Sequence, residues 1–405
     1  MTTKLKNFFR TRLGVFVAVL LAIALVAVTG HFYGAKAADL GSSCCADLEE
    51  RIAELEATTA KKGNRKVSLT VSGVVNYAVL AWDDGLLGEA NATVAPNGIN
   101  PSRLTFAGKA NLGKDWSAGF IIEIGAGSYN VLTDALNVST STETYVRQSA
   151  VWVKAPAGKL TLGRTAQATY RVADTSTANV YDADSLLSLC PFLGCDHGMT
   201  QNLDLYSGQF LNVIRYDSPE WYGLSVAASW SNDGTNGAFS GPQQNVWDAA
   251  LRYFKEVDQF KFAASVGYRD GAVFPGLSPI LPLPIVAFEQ KTWSGSASLM
   301  HIPSGLFVDV AAGRATFPGD FNITSWEVRP GLEQRWSSYG KTTLFALYAS
   351  NTIDGVNDDV VWWGGGAVQS IDAAAMNLYA TVKHLEPGNG LENATVGMAG
   401  ASVKF

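Results

Sequence analysis

Charged side chains are scarce in this 405-residue chain, because Asp, Glu, Lys and Arg make up only 16% of the residues. Typical soluble proteins carry about 25%. Past residue 30 no apolar run reaches the length of about 18 residues that a membrane-crossing helix needs, which excludes a polytopic helical membrane protein. The 11% of aromatic residues excludes a disordered chain. A net charge of −6 argues against a nucleic-acid partner.

Histidine and cysteine are also few, with four residues of each type. Beyond the first forty residues the histidines are His197, His301 and His384. No G-x-S-x-G, H-E-x-x-H or phosphate-loop pattern occurs in the sequence. A catalytic triad needs serine, histidine and an orienting group within reach of one another. We therefore expect neither an enzyme nor a cofactor or metal site.

The N-terminus has the features of an export signal. A basic segment that ends at Arg12 precedes an uncharged apolar stretch over 14–28, and Ala35-Lys36-Ala37 fits the small-residue cleavage pattern. The sequence predicts a signal peptide over 1–37, with an uncleaved anchor helix as the alternative. Removing its five basic residues leaves 25 Lys and Arg against 36 Asp and Glu, a net charge of −11.

A short charged segment over 38–66 follows. Its apolar positions recur at spacings of three and four, the seam of a coiled coil: Cys45, Leu48, Ile52, Leu55 and Thr59. This pattern predicts an amphipathic helix that forms a periplasmic stalk, and a solvated linker helix without a partner is the alternative. Cys44 and Cys45 are candidates for interchain disulfides, since an exported chain meets an oxidising compartment.

From residue 67 onward the apolar residues recur every two positions, which indicates β-strands. One face of each strand is apolar and has Trp or Tyr near its ends, whereas the other face keeps Gly, Ser, Arg and Glu. This pattern is typical of a transmembrane β-barrel with a polar lumen and aromatic girdles. Such a sheet must close, because lipid cannot satisfy free backbone N–H and C=O groups.

The 339 residues of 67–405 accommodate sixteen strands of about 9–11 residues with their connections. Eighteen strands would also fit. We predict an all-β fold, a 16-stranded antiparallel transmembrane barrel, with strands near 67–82, 103–112, 115–125, 146–154, 158–164, 210–218, 221–231, 246–255, 258–269, 291–302, 305–315, 324–336, 339–350, 359–369, 373–385 and 391–405. Short turns near 113–115, 155–158, 218–220 and 256–258 are expected on the periplasmic side.

A long segment with poor alternation lies between Arg164 and Gln209. Folded inward, it would narrow the channel that a large barrel leaves open. Its candidate constriction residues are Arg171, Asp174, Asp182, Asp184, Asp196 and Asp204. The candidate residues of the pore wall are Lys109, Arg147, Arg164, Arg215, Arg252, Arg329 and Arg335. Acid on the loop facing base on the wall would set a transverse field across the constriction. Alternatively, these charges only solvate an external loop and strand ends.

Cys190 and Cys195 lie within the same segment, on either side of Pro-Phe-Leu-Gly. Their close spacing in an exported chain favours an intraloop disulfide that stiffens the constriction. A metal site is disfavoured, because C-x4-C with only His197 nearby is poor ligand spacing.

Several segments resemble known porins. Residues 44–85 resemble the start of mature porins of rhizobial-type alphaproteobacteria, the Porin_2-type family. The segment 212–219, followed by Gly223-Leu224, resembles the sixth-strand motif of general porins. The turn 113–116 agrees with this, as does Phe405, a terminus that outer-membrane barrels present to their assembly machinery.

The resemblance extends over about 44–405 and implies a homotrimer of 16-stranded barrels in the bacterial outer membrane. The third loop, here about 165–209, would fold into the lumen. Arg215 would then lie on the lumen wall, while Ile214 and Tyr216 would face outward. Many relatives have a longer and more charged third loop, whereas this one is rich in Ser, Thr and Leu. The ion preference therefore stays open.

The leading functional hypothesis is passive diffusion of small hydrophilic solutes and ions, with membrane lipid and lipopolysaccharide around the barrel. A second is a structural tether, because Ala38-Asp39 matches the mature start through which some barrels of this bacterial group are joined to peptidoglycan. A third is a sugar-specific channel, for which an aromatic slide would come from Tyr170, Tyr181, Phe192 and Tyr206.

Overall fold

The computed structural model describes residues 67–83, 91–97, 100–126, 144–183, 210–232, 245–273, 288–319, 321–355, 359–386 and 393–405. The predicted signal peptide and stalk lie outside the described residues. The same holds for Ala38, Asp39, Cys44, Cys45, Asp184, Cys190, Cys195, Asp196 and Asp204. Within the described ranges, no helix is long and apolar enough to cross a membrane.

The described residues form one antiparallel sheet of seventeen strand segments. They are β1 Ser68–Asp83, β2 Asn91–Pro96, β3 Arg103–Gly113, β4 Trp116–Gly125, β5 Tyr145–Ala155, β6 Gly158–Ala166, β7 Phe210–Asp217, β8 Leu224–Ser231, β9 Val246–Val257, β10 Phe260–Val273, β11 Phe288–His301, β12 Leu306–Phe317, β13 Phe321–Ser337, β14 Gly340–Ile353, β15 Val360–Ile371, β16 Met376–Glu386 and β17 Ala394–Lys404. A single 3-10 turn, Asp372–Ala374, joins β15 to β16.

β2 and β3 are two halves of one barrel strand. Both pair with β1, with Tyr77 opposite Pro96 and Val74 opposite Arg103. Between these pairs β1 has two residues, whereas the other strand has the six residues 97–102. This bulge contains Pro101, which has no N–H to donate to a sheet hydrogen bond. The seventeen segments therefore make sixteen barrel strands, which confirms the predicted number.

The barrel closes by antiparallel pairing of β1 with β17, from Val74 opposite Lys404 to Asp83 opposite Thr395. Each predicted strand matches an observed one to within four residues at either end. The segment β2 was missed, because the bulge that follows it breaks the alternation on which the prediction depended.

The two ends of the barrel differ. One end, which we call the turn end, carries the start of β1, Phe405 and short connections such as 114–115, 156–157 and 258–259. All four predicted short turns lie there. The other end, the loop end, carries the longer connections, including 167–209 between β6 and β7.

The outer face is apolar, as alternation predicts for strands that contact lipid. Exposed tryptophans lie near both of its ends. Those near the loop end are Trp230, Trp247, Trp293, Trp326 and Trp363, and those near the turn end are Trp116, Trp221 and Trp336. On β7, Ile214 and Tyr216 are exposed outward, while Val213 is buried on the inner face. These placements confirm the expected orientation of β7.

Gly73 lies where the chain end meets β1. Its N–H donates to the carbonyl of Phe405 at 2.8 Å, and its carbonyl accepts from the Phe405 N–H at 3.1 Å. The Phe405 ring covers the space next to Gly73, so that a Cβ added there would lie 2.4 Å from Phe405 Cζ and 2.7 Å from the Arg103 carbonyl oxygen. Glycine is therefore required by close approach at this end of the seam.

We expect Gly73→Ala to destabilise the folded barrel by about 1–3 kcal/mol, the usual range for overpacking. The Phe405 ring can turn away, but the Arg103 carbonyl belongs to the sheet and cannot. The measurement is the temperature at which the folded, fast-migrating band converts to the unfolded one in gels. Val75→Ile is the control, since Val75 is 52% exposed on the same face of β1. Equal conversion temperatures for the two variants would contradict the close-approach argument.

Candidate functional site

The segment 167–183, which we call the inner loop, leaves β6 and follows the inside of the barrel wall. Ser229 of β8 accepts from the Ala168 N–H, and Ser298 of β11 accepts from the Thr177 N–H. The far end of the inner loop reaches β16, β17 and β1. The expected inward fold of the loop is thus confirmed for these residues.

Two wall arginines hold the beginning of the inner loop. Arg215 Nη1 donates to the carbonyls of Ala166 and Gln167, at 2.8 and 3.0 Å. Arg252 Nη2 donates to the carbonyls of Ala168 and Tyr170, at 2.7 and 2.9 Å. The sequence analysis predicted that both arginines line the pore. In the structure, guanidinium N–H groups of both instead donate to backbone carbonyls at the start of the loop, which has no hydrogen-bonded strand ladder of its own.

Serines on adjacent strands hold the middle of the inner loop. Ser265 of β10 and Ser296 of β11 both donate to the Val172 carbonyl, at 2.6 and 2.7 Å. Ser296 also accepts from the Thr175 N–H at 3.0 Å. Because serine is short, the loop backbone can lie directly against the sheet. The polar inner face that the alternation indicated is therefore partly a binding surface for the loop.

The tip of the inner loop is fixed by Asp182, whose side chain is buried at 2% exposure. The carboxylate accepts from Asn100 Nδ2 at 2.6 Å, Asn377 Nδ2 at 2.7 Å, Ser402 Oγ at 2.7 Å and Asn76 Nδ2 at 3.3 Å. These donors come from the 97–102 bulge, β16, β17 and β1. The prediction that Asp182 would face the open constriction is wrong, because its carboxylate is buried and hydrogen-bonded to the barrel wall.

Apolar contacts support the same tip. Val180 and Ala183 belong to a buried cluster with inward side chains of β1, β11, β12 and β14 to β17, among them Leu80, Phe345 and Met398. Burying such side chains away from water stabilises the docked loop. The inner loop therefore lies on one side of the lumen, against β8 to β17 and β1.

The charged residues of the inner loop are largely compensated. Arg171 pairs with Asp174 at 2.7 Å and lies 3.6 Å from the centroid of the Tyr181 ring. Burial lowers the pKa of the Arg171 guanidinium, but Asp174 and Tyr181 raise it to a net value above the ordinary one. Arg171 is thus charged at any physiological pH. Asp174 lies 3.9 Å from Arg329 of the wall, an acid on the loop beside a base on the wall as predicted.

Arg329 is itself buried within a set of carboxylates. Its guanidinium lies 3.1 Å from Asp309 and 3.5 Å from Glu327, and its side chain is only 5% exposed. The Asp174–Arg329 contact therefore contributes little to a field across the open channel. Sequence reasoning missed Asp309 and Glu327, although both lie on inward positions of their strands.

The wall opposite the inner loop, formed by β3 to β7, is basic. Its inward cations are Arg103, Lys109, Arg147, Lys154, Lys159 and Arg215, and its inward acids are Glu123 and Asp217. Three of these six cations were predicted. Arg103, Lys154, Lys159 and the two acids were missed, although the parity of each position relative to apolar neighbours such as Leu160 and Leu162 marks them as inward.

Some predicted wall residues are paired or lie away from the constriction. Arg147 pairs with Glu123 at 3.1 Å and covers the Phe210 ring at 4.4 Å. Arg335 pairs with Asp372 at the turn end, where both side chains are about half exposed. Lys109 also lies toward the turn end, since it pairs in register with Ser68, the first residue of β1. The prediction that Arg164 lines the pore wall is wrong, because the register puts it on the outer face with Leu160 and Leu162. Its Nε donates to the Val146 carbonyl at 3.2 Å.

The described residues contain no group of three or more His, Cys, Asp and Glu that could hold a metal ion. Of the three histidines considered above, His301 and His384 are described. His301 contacts Ser304 at 2.7 Å and the amide of Gln259 at 3.3 Å, and His384 contacts Thr395 at 2.9 Å. The His301–Ser304 pair has an amide on its other side instead of the carboxylate that orients a catalytic histidine.

Comparison with known proteins places the chain in a family. The Gram-negative porin family model matches residues 22–390, so the chain belongs to the Gram-negative porins. The family and the closed barrel indicate an outer-membrane protein that acts as a channel. Among curated proteins, none matches the chain in sequence.

Solved structures share the fold at low sequence identity. An anion-selective porin from Comamonas acidovorans has a TM-score of 0.61 and 16% identity, covering 84% of this chain and 100% of that one. OmpT of Vibrio cholerae in a trimer form has 0.56 and 11%, with coverages of 84% and 99%. OmpF of Salmonella typhi in complex with daunomycin has 0.53 and 12%, with coverages of 84% and 98%.

We expect Asp182→Ala to release the tip of the inner loop. The change leaves several buried donors without their acceptor, at a cost of about 1–3 kcal/mol for each unsatisfied group. Single-channel recordings should show a larger and noisier conductance, because the loop can leave the wall. Asp372→Asn removes a lumen-end charge without touching the loop and should keep the parent trace. A quiet, parent-like trace from folded Asp182→Ala would contradict the anchoring role.

Proposed function

We propose that the protein forms a water-filled channel for passive diffusion of small hydrophilic solutes and ions across the outer membrane. The observation that carries this proposal is the position of the inner loop. It lies against β8 to β17 and β1, so that a lumen remains along β3 to β7, where the Lys159 side chain is 42% exposed. The open space is thus lined by solvated charge, which suits hydrated solutes.

The finer assignments follow from the same proposal. We infer export through a signal peptide over 1–37, a stalk over 38–66 and a barrel over 67–405, with the turn end in the periplasm. We also infer a homotrimer, as in the trimer form of the similar Vibrio cholerae protein, within lipid and lipopolysaccharide. Phe405 is the proposed contact for the barrel assembly machinery. The resemblance of residues 44–85 supports a relationship to the alphaproteobacterial porins.

Several predicted roles stay proposals. Asp184, Asp196 and Asp204 are proposed constriction residues. Cys190 and Cys195 are proposed to form a disulfide in the same loop. Arg171 and Asp174 are proposed to border the channel as a compensated pair. Arg147 and Lys109 are proposed channel-lining cations. We propose no catalytic role for the chain.

A sugar-specific channel has less support among the described aromatic residues. Arg147 donates to the Tyr170 hydroxyl at 3.0 Å. The Tyr170 ring also contacts the Phe210 ring edge-on, with ring centroids 4.9 Å apart. Tyr181 is covered by Arg171. These rings are engaged by protein groups, whereas a sugar slide needs ring faces that are open to the lumen.

Planar-bilayer recording of the purified trimer tests the channel proposal. We expect steps in groups of three, with conductance that rises in proportion to bulk salt, as in a wide aqueous pore. Heat-denatured protein from the same preparation is the control and should be silent. Silence from folded, heat-modifiable barrels would overturn the proposal and favour the tether.

The tether is a second candidate that can coexist with the channel. β1 begins at the turn end, so the segment 38–66 would extend from the barrel into the periplasm. We expect muropeptide mass spectrometry to find Ala38-Asp39 attached to a peptidoglycan stem peptide. An Ala38→Pro variant, which alters the attaching amine, should lose this species. Free mature N-termini in all of the parent protein would overturn the attachment.

A further inference from the structure

A recess of about 770 Å³ opens at the turn end of the barrel, on the side of β3 to β7. Residues of five strands, β3 to β7, and of three turns line it. Four of the lining residues are lysines: Lys109, Lys114, Lys154 and Lys159. Asn111 and Ser117 add polar groups at its wall. The recess is separate from the inner loop, since no residue of 167–183 lines it.

The register of the strands brings two of these lysines together. Lys154 of β5 lies directly opposite Lys159 of β6. Residues so placed have Cβ atoms about 4.5–5.5 Å apart, and like charges at that spacing destabilise a sheet. Lys109 lies on β3, two strand spacings of about 4.8 Å each from β5. All three side chains are inward, and lysine side chains are long enough to converge over this distance.

Carboxylates in the recess do not balance these lysines. Asp115, Asp217 and Glu220 also line it. Asp217, however, is already bound by Arg215, whose Nε and Nη2 donate to Oδ1 at 3.0 and 2.7 Å. Lys159 only shares this carboxylate, at 3.7 Å. Within the described part of the chain, Lys109 and Lys154 make no ion pair. The recess therefore holds an excess of positive charge.

The recess continues a basic path along the wall. Arg147 on β5 and Arg103 on β3 lie further toward the loop end on the same strands as Lys154 and Lys109. An anion that passes the inner loop along this wall would reach the lysines last. Clefts lined by one sign of charge raise the local concentration of ions of the opposite sign.

We propose that the recess is a transit binding site for small oxyanions with two negative charges, such as inorganic phosphate or compact dicarboxylates. Lysine ammonium groups bind phosphate and carboxylate oxygens as point charges, with charge-assisted hydrogen bonds. A dianion between Lys109, Lys154 and Lys159 would relieve the repulsion that the register imposes. The inference rests on the proposed channel function and adds a substrate class to it.

Inorganic phosphate is the probe. Full-length trimers are recorded in potassium chloride, and phosphate is added to the turn-end side. We expect phosphate to reduce the chloride current in a saturable way, with weak voltage dependence because the site lies near that end of the lumen. In Lys154→Gln/Lys159→Gln the concentration for half block should rise about tenfold or more, since charged hydrogen bonds are lost. The reversal potential in a salt gradient should also shift toward cation preference.

Two control variants isolate the site. Lys255→Gln removes a lysine from the same end, on the outer face of β9 beside Tyr253 and Val257. Phosphate should block this variant as it blocks the parent. Lys154→Arg/Lys159→Arg keeps the charge and should retain the block.

The outcomes separate the two proposals. Normal chloride conductance without phosphate block overturns the proposed binding site and leaves the channel function standing. Block that persists unchanged in Lys154→Gln/Lys159→Gln also overturns it, because the phosphate then binds elsewhere. Absence of any conductance from folded trimers counts against the channel function itself.

Discussion

Every other feature of this protein depends on the pairing of its first and last strands. A sheet in lipid cannot leave backbone N–H and C=O groups free, since each unpaired group costs several kcal/mol. Here β1 pairs with β17 over ten residue positions, from Val74 to Asp83. Closure at sixteen strands in turn sets a lumen that is too wide for side chains alone to fill. The inner loop and the inward charges have their roles because that space exists.

The inner loop and the seam are physically coupled. The Asp182 carboxylate accepts hydrogen bonds from Asn76 on β1 and from Ser402 on β17, so a single loop residue spans the joint. The bulge at 97–102 contributes Asn100 to the same carboxylate. An irregularity that interrupts one strand thus supplies a donor that a regular strand would have aimed elsewhere. Loop position and barrel closure should respond together when this cluster is changed.

Charge is distributed unequally around the lumen. On the side of the inner loop, Arg329 is enclosed by Asp309, Glu327 and Asp174, so its charge is locally balanced. On the side of β3 to β7, Lys109 and Lys154 make no ion pair with the described residues, and Lys159 shares Asp217 with Arg215. Hydrated ions therefore meet a wall of net positive charge. On the other side, carboxylates and serines of β8 to β13 hydrogen-bond to the loop backbone.

The sequence alone determined the strand architecture. Period-two alternation has a direct physical cause, since successive side chains point to opposite faces, and it located the sixteen strands and the turn end. It also placed Arg215 inward and marked 165–209 as the segment that needs a special position. The same parity could have found Lys154 and Lys159, because each alternates with apolar outward neighbours.

Only the tertiary structure decided what each inward charge does. Asp182 and Asp174 look alike in the sequence, yet one is buried by donors from four separate segments and the other stays beside Arg171. Arg215 and Arg252 look like pore-lining cations, yet both bind loop carbonyls. Their partners lie far away in the sequence and meet only after the barrel has closed. Local pattern therefore fixes on which face a side chain lies, whereas closure and register fix its neighbours.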